Sequence, residues 1–291
     1  MSLATGVVEA ASISDAWLGA AGRLAEMPGH TAVHLVVRIA DPLAEDPAVR
    51  SELDRVLLAR SKQSTSTVAN TLFPAALAER YREPAELAEH YRTDVLPRLC
   101  RLARPKNAKG TYFGRLVAYP EGGGNFTDQL TATVAKLRRE EALPSPLSSC
   151  YELAVHSPGE DDDPAADSDS AASRDATANQ DAGADAAVLT YNGHRDSSAR
   201  MGFPCLSLVS FHLDGPELHL AAHYRNQHFF ERAYGNYLGL GRLLGYVATA
   251  AGLKPGELLV IAGHARLETV APLRALLGGH DWLPLDLKGA P

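Results

Sequence analysis

Between Asn236 and Ala251 the chain carries a single charge, Arg242, in a run built mainly from Leu, Gly, Ala and Tyr. A helix that is apolar on every side has no face to give to water, so the rest of the fold has to enclose it. The flanking sequence supplies strands for that purpose. Phe203–Leu213 and Glu217–Tyr224 are apolar runs joined through Asp214-Gly215, a hairpin signal. Lys254-Pro255-Gly256 reads as the end of the helix, and the apolar run ELLVIAG after it as another strand.

Upstream, Val33, Leu35, Val37 and Ile39 alternate as in a strand, and Ser149–His156 reads as a short one. Helical spacing places one helix on Ser14–Met27, stopped by Pro28-Gly29. Others fall on Val49–Leu57, on Leu87–Leu99 and on Leu130–Leu137. Helices mixed with partly antiparallel strands indicate an α+β fold, a mixed, mostly antiparallel sheet around a long central buried helix. The whole of 1–291 is expected to be one domain, with no internal repeat.

Charge is unevenly spread. The chain's net charge is −7, yet residues 159–187 hold nine acidic side chains against Arg174 alone, a local −8 that leaves the remainder at +1. That stretch is Ala/Asp/Ser-rich and short of large apolar groups, so residues 157–187 read as a disordered acidic insertion. The nearly neutral body carries no basic stripe, which argues against nucleic acid as a partner. No apolar run reaches membrane-spanning length, and the N-terminus lacks signal-peptide features. Three cysteines, Cys100, Cys150 and Cys205, make no disulfide framework. A soluble, cytoplasmic protein is expected.

Cys205 opens the first strand of the hairpin and Arg225 closes the second, so the two ends meet across the sheet. A guanidinium beside sulfur favours the thiolate, the nucleophilic form. The alternatives at these positions are a small buried cysteine, an arginine that caps a strand in an ion pair, and, for Asn236, a helix N-cap.

PCLSLVSFHLDGPELHLAAHYRN resembles the active-site hairpin of the thymidylate synthases and related pyrimidine nucleotide C5-hydroxymethylases, where Pro-Cys-His leads through a strand pair to Tyr-Gln-Arg-Ser. The Cys205-to-Arg225 interval matches without a gap, as does the step from Arg225 to Asn236. GLKPGELLVIAGH resembles the family's Gly-Leu-x-Pro-Gly segment and the strand after it. GTYFGRLVAYPEGGGNFTDQLTATVAKLRR resembles the family's loop and the helix that follows. The resemblance covers about residues 108–268, interrupted by the acidic insertion, and fades over 1–105.

It implies a homodimer and a transfer of a methyl or hydroxymethyl unit to C5 of a pyrimidine nucleotide, nucleoside or related heterocycle. The implied donor is 5,10-methylenetetrahydrofolate. Cys205 would add to C6 of the ring, Arg225 would hold an anionic group, and Asn236 would bond the base edge, favouring a uracil-like ring. Asn226, His264 and Arg266 fall on the substrate side, and His228, Phe113 and Tyr112 on the cofactor side. The departures are specific. Leu206 stands where His follows the nucleophile, His228 where the family has an acid, and Arg266-Leu267-Glu268 where a His-x-Tyr pair binds the sugar. The paired arginines that grip phosphate from the dimer partner have no counterpart near Ser149-Cys150, and Arg138-Arg139 reads as a solvated helix face. These losses point to specialised metabolism or a modified nucleotide. They also leave two rivals open: a nucleotide-binding protein without catalysis, and a Cys-dependent transferase on a non-nucleotide ring. His212, His219, His223 and His228 match no recognised ligand spacing, so no metal is expected. Gly122-Gly123-Gly124 reads as a turn.

Overall fold

The computed structural model describes residues 7–102, 111–122, 124–155 and 205–273. The acidic insertion, Phe203, Pro204 and Trp282 lie outside the described residues. The architecture is α+β, built on one seven-stranded mixed sheet. The strands are β1 (Val7–Ala10), β2 (Thr31–Ile39), β5 (Tyr151–Ala154), β6 (Leu206–Asp214), β7 (Glu217–Tyr224), β8 (Gln227–His228) and β9 (Lys254–Arg266), with a separate hairpin of β3 (Tyr119–Gly122) and β4 (Asn125–Thr127). The sheet runs β1-β2-β9-β7-β6-β5, with β8 added beside β9. Pairings β1–β2, β7–β9 and β8–β9 are parallel and the rest antiparallel. Because β2 pairs with β9 along almost its whole length, the divergent N-terminal part and the hairpin region share one sheet.

Parallel neighbours need a crossover, and the helix α9 (Tyr234–Ala251) provides it between β7 and β9. Its near-absence of charge is matched by burial over most of its surface, from Tyr234 and Tyr237 to Val247 and Ala251, with Arg242, Gly245, Tyr246 and Thr249 on one partly open side. It packs against the sheet and lengthwise along α3 (Thr65–Leu72), whose Thr65, Val68, Ala69 and Leu72 form one buried face. Glycine lets the helix come this close to its neighbours. A Cβ on Gly241 would sit 2.0 Å from the carbonyl oxygen of Pro42, nearer than any side chain tolerates.

Lys254-Pro255-Gly256 does not end this helix. Gly252 does so in the left-handed region (φ 79°), with its N–H and that of Leu253 bonded back to the last turn, while Lys254 and Pro255 already belong to β9. Pro255 is tolerated there as an exposed residue at the start of the strand. Around the core stand α1 (Ile13–Glu26), α2 (Pro47–Ala59), α4 (Ala75–Arg80), α5 (Pro84–His90), α6 (Leu96–Leu102), α7 (Tyr112–Val117) and α8 (Gln129–Glu141). The run expected over Leu87–Leu99 is interrupted by a π-helical turn at Tyr91–Val95.

Candidate functional site

Pairing of Leu206 with Tyr224 closes the open end of the β6–β7 hairpin. Beyond it, the Arg225 N–H donates to the Cys205 carbonyl at 2.8 Å, and the His264 N–H donates to the Arg225 carbonyl at 3.0 Å. Cys205, Arg225 and His264 are thus successive rungs across three neighbouring strands. Asn226 joins them, its Oδ1 lying 3.2 Å from Nδ1 of His264. The hairpin therefore brings together Cys205 and Arg225, as its length and turn predicted.

The electrostatics at sulfur run against the expected thiolate. Burial pushes the Cys205 thiol up, and Arg225, followed by Arg232, offsets only part of that rise. Arg225 acts in the anticipated direction, but desolvation of a largely buried sulfur is the larger effect. Tyr112 stands beside the thiol, where its hydroxyl accepts the Cys205 N–H at 3.3 Å. Burial, then the nearby cysteine, pushes the Tyr112 phenol up to about 12. Tyr224 is pushed well above the ordinary phenol range by burial first, then by Tyr112, Cys205 and Tyr237.

Asn236 is not an N-cap. A π-helical turn over Phe229–Ala233 runs directly into α9, Ala233 is itself helical, and Asn236 falls in the first turn. Its side chain is only 6% exposed, and it makes no hydrogen bond to another described residue. The turn is fixed from outside. Trp17 on α1 donates its indole N–H to the Phe229 carbonyl at 3.3 Å and packs against the rings of Phe230 and Tyr234. Arg232, within the turn, bonds Gln63, and its neighbour Glu231 pairs with Lys62 at 2.7 Å. The N-terminal part, where the resemblance fades, is thus what holds this side of the site.

The residues expected on the cofactor side do not come together as one surface. Phe113 is fully buried, packed edge-on to Phe73 and Tyr91, so its ring belongs to the core. Tyr112 is engaged with Cys205 instead. His228 is half-exposed and lies 3.1 Å from Glu268, whose second oxygen accepts the Phe230 N–H at 2.8 Å. That carboxylate pushes the His228 imidazole up. Arg266 is exposed at the end of β9, opposite His228 in the register.

Sequence reasoning missed Arg232, Tyr224 and Tyr237. Tyr224 had a usable signal, because it occupies the inward-facing register of β7 immediately before Arg225. Arg232 gave none, since its proximity to sulfur depends on the π-helical turn. Among the histidines, His219 accepts the Glu257 N–H at Nδ1 and His212 bonds Ser210. Among the described residues no group of three His, Cys, Asp or Glu side chains is arranged to hold a metal ion. Arg138 is not merely solvated: its Nε donates to the Ala250 carbonyl at 2.7 Å and so ties α8 to the last turn of α9. Gly124, at positive φ, lies in the turn between β3 and β4. No described helix is long and apolar enough to cross a membrane. No protein-family model matches the chain, and no curated protein matches it either.

Proposed function

We propose that the chain is an enzyme that activates C5 of a pyrimidine-type ring by covalent addition of Cys205 to C6. The observation that carries this reading is the main-chain bond that sets Arg225 beside Cys205, with Arg225 and then Arg232 opposing the rise that burial imposes on its thiol. The thiol loses its proton to solvent, and the sulfur forms a bond to C6. The electron pair of the C5=C6 bond shifts to give an enolate delocalised over C5 and the C4 oxygen. C5 then takes an electrophile or, lacking one, a proton from solvent, after which removal of a C5 proton expels the sulfur and restores the double bond. Arg225 and Arg232 enlarge the small thiolate fraction that burial leaves. Asn236, little exposed and with no side-chain hydrogen bond to another described residue, has the donor and acceptor for the ring edge.

The donor implied by the resemblance, 5,10-methylenetetrahydrofolate, finds a weaker fit. Phe113 is sealed in the core, Tyr112 is engaged with Cys205, and His228 with Glu268 is the one exposed group of the three expected there. We therefore confine the chemistry to addition at the ring. The homodimer of the resemblance would cover exposed apolar side chains of the sheet such as Val33, 56% exposed, and Leu208, 39% exposed. Sedimentation giving a monomer at micromolar concentration would remove that part.

The test is exchange of tritium from C5-labelled uracil, uridine and dUMP. Wild-type protein should release label to water and Cys205→Ser should not; release by both, or by neither, refutes covalent addition. The raised thiol favours a second reading, a ring-binding protein without turnover, which predicts saturable binding with no release.

A further inference from the structure

We propose that the hydroxyls of Tyr224 and Tyr237 form, with Tyr112, the inner wall of the Cys205 site and take the carbonyl edge of a neutral heterocyclic ring. This rests on the reading of Cys205 as the group facing such a ring, and it assigns two residues that the hairpin resemblance leaves without a role. Both side chains are fully buried, and neither hydroxyl oxygen has a hydrogen-bond partner among the described residues. An unpaired buried hydroxyl is a net cost to a fold, and phenylalanine would fill the same volume without it. One such oxygen beside a reactive sulfur, and a second beside the first, need a use outside the resting fold.

Their placement supplies one. Tyr224 is the cross-strand partner of Leu206, the residue after Cys205. Its phenol lies close enough to Tyr112, Cys205 and Tyr237 for each to oppose its ionisation. Tyr237 follows Asn236 on α9, with its ring edge-on to Phe229 at 6.3 Å. Tyr112 closes the set through its bond to the Cys205 N–H. Held neutral by burial, each phenol offers one donor and one acceptor, which suits a carbonyl or N–H of an uncharged ring. Cys205 is partly exposed while the phenol oxygens are sealed, so a ring reaches them from the sulfur side and shifts these side chains as it enters.

The experiment compares Tyr224→Phe and Tyr237→Phe with the wild type in urea unfolding and in calorimetric binding of uracil, uridine and dUMP, with C5 exchange followed in parallel. The expected result is stability unchanged or raised, together with about tenfold weaker binding per hydroxyl removed. Lower stability with unaltered binding would make the hydroxyls structural and overturn the proposal, as would a wild type that binds none of the three rings. Exchange that persists while both variants bind normally sinks the tyrosine wall and leaves Cys205 addition standing. Weakened binding in the variants without any wild-type exchange does the reverse.

Discussion

The amide of Arg225 donates to the carbonyl of Cys205 at 2.8 Å, so the anchor points of guanidinium and sulfur are locked together by a main-chain bond. Side-chain packing is not needed to bring them near each other. The thiol is nevertheless held up by burial, with Arg225 and Arg232 opposing it. Proximity to a cation and activation by it are separate properties here, and desolvation decides the second.

Alkylation of Cys205 by iodoacetamide should therefore follow a midpoint above that of an ordinary thiol, and Arg225→Gln should move it higher. Losing the guanidinium leaves burial opposed by Arg232 alone. Peptide mass spectrometry reads the rate at each pH and separates Cys205 from the exposed Cys150. A midpoint below the ordinary range, or a lower one in the variant, would contradict the balance of effects at this sulfur.

The His228–Glu268 contact makes a pH-dependent contribution to stability. Glu268, then Glu231, raises the folded-state pKa of His228, while burial and Arg232 lower it. With the folded value raised, the stabilisation is complete below the ordinary imidazole pKa and is lost as pH rises through the folded value. His228 is half-exposed, so solvent screening keeps the effect to about 0.5 kcal/mol. Urea unfolding at mildly acidic and mildly alkaline pH should show His228→Gln removing that portion of the pH dependence. An unchanged dependence would mean that the pair adds nothing.

How far the sequence carries differs between the two halves of the chain. The β6–β7 hairpin was legible because a two-residue turn and alternating apolar positions determine which residues end up opposite each other, and Cys205 and Arg225 follow from that. The end of α9 was misplaced because Pro255 looked like the stop. Strand β9 accepts it, since Pro255 stands at the exposed start of the strand and donates nothing there. Helices α3 and α7 are only eight and six residues long and take their stability from tertiary contacts, so each offers too few turns for a pattern to stand out. Phe113 falls nearest the loop Tyr of the resembled family, with Tyr112 beside it, but in a helix adjacent residues face different ways, and Phe113 faces Phe73 and Tyr91. The π-helical turn at Phe229–Ala233 has no sequence signature, and it brings Arg232 to the sulfur and moves Asn236 from cap to interior.

Gly241→Ala should destabilise the protein by about 3 kcal/mol. The added Cβ meets the backbone of Pro42 rather than a flexible side chain, so α9 or the 41–44 segment must shift as a unit. An exposed helical glycine replaced by alanine would instead gain roughly 0.5–1 kcal/mol. The sign of the change in urea midpoint thus decides whether close approach or backbone entropy dominates at this position. A gain in stability would show that the helix has room to back away from Pro42.

Gln227→Met tests whether buried polarity on β8 serves the fold. Gln227 is almost completely buried, and neither its amide oxygen nor its amide nitrogen has a partner among the described residues. It stands opposite Ala265 on β9, three residues along from the Ala262 that faces Tyr224, which is about 10 Å by strand rise. Methionine has similar length and volume and no group that needs pairing, so the substitution should leave stability unchanged or raise it by about 1 kcal/mol. A loss of more than about 1 kcal/mol in urea unfolding would show that the amide is satisfied in solution, since only a paired amide costs its full desolvation when its partner is orphaned. Unchanged stability would place Gln227 with Tyr224 and Tyr237, as polarity that the resting fold carries without using.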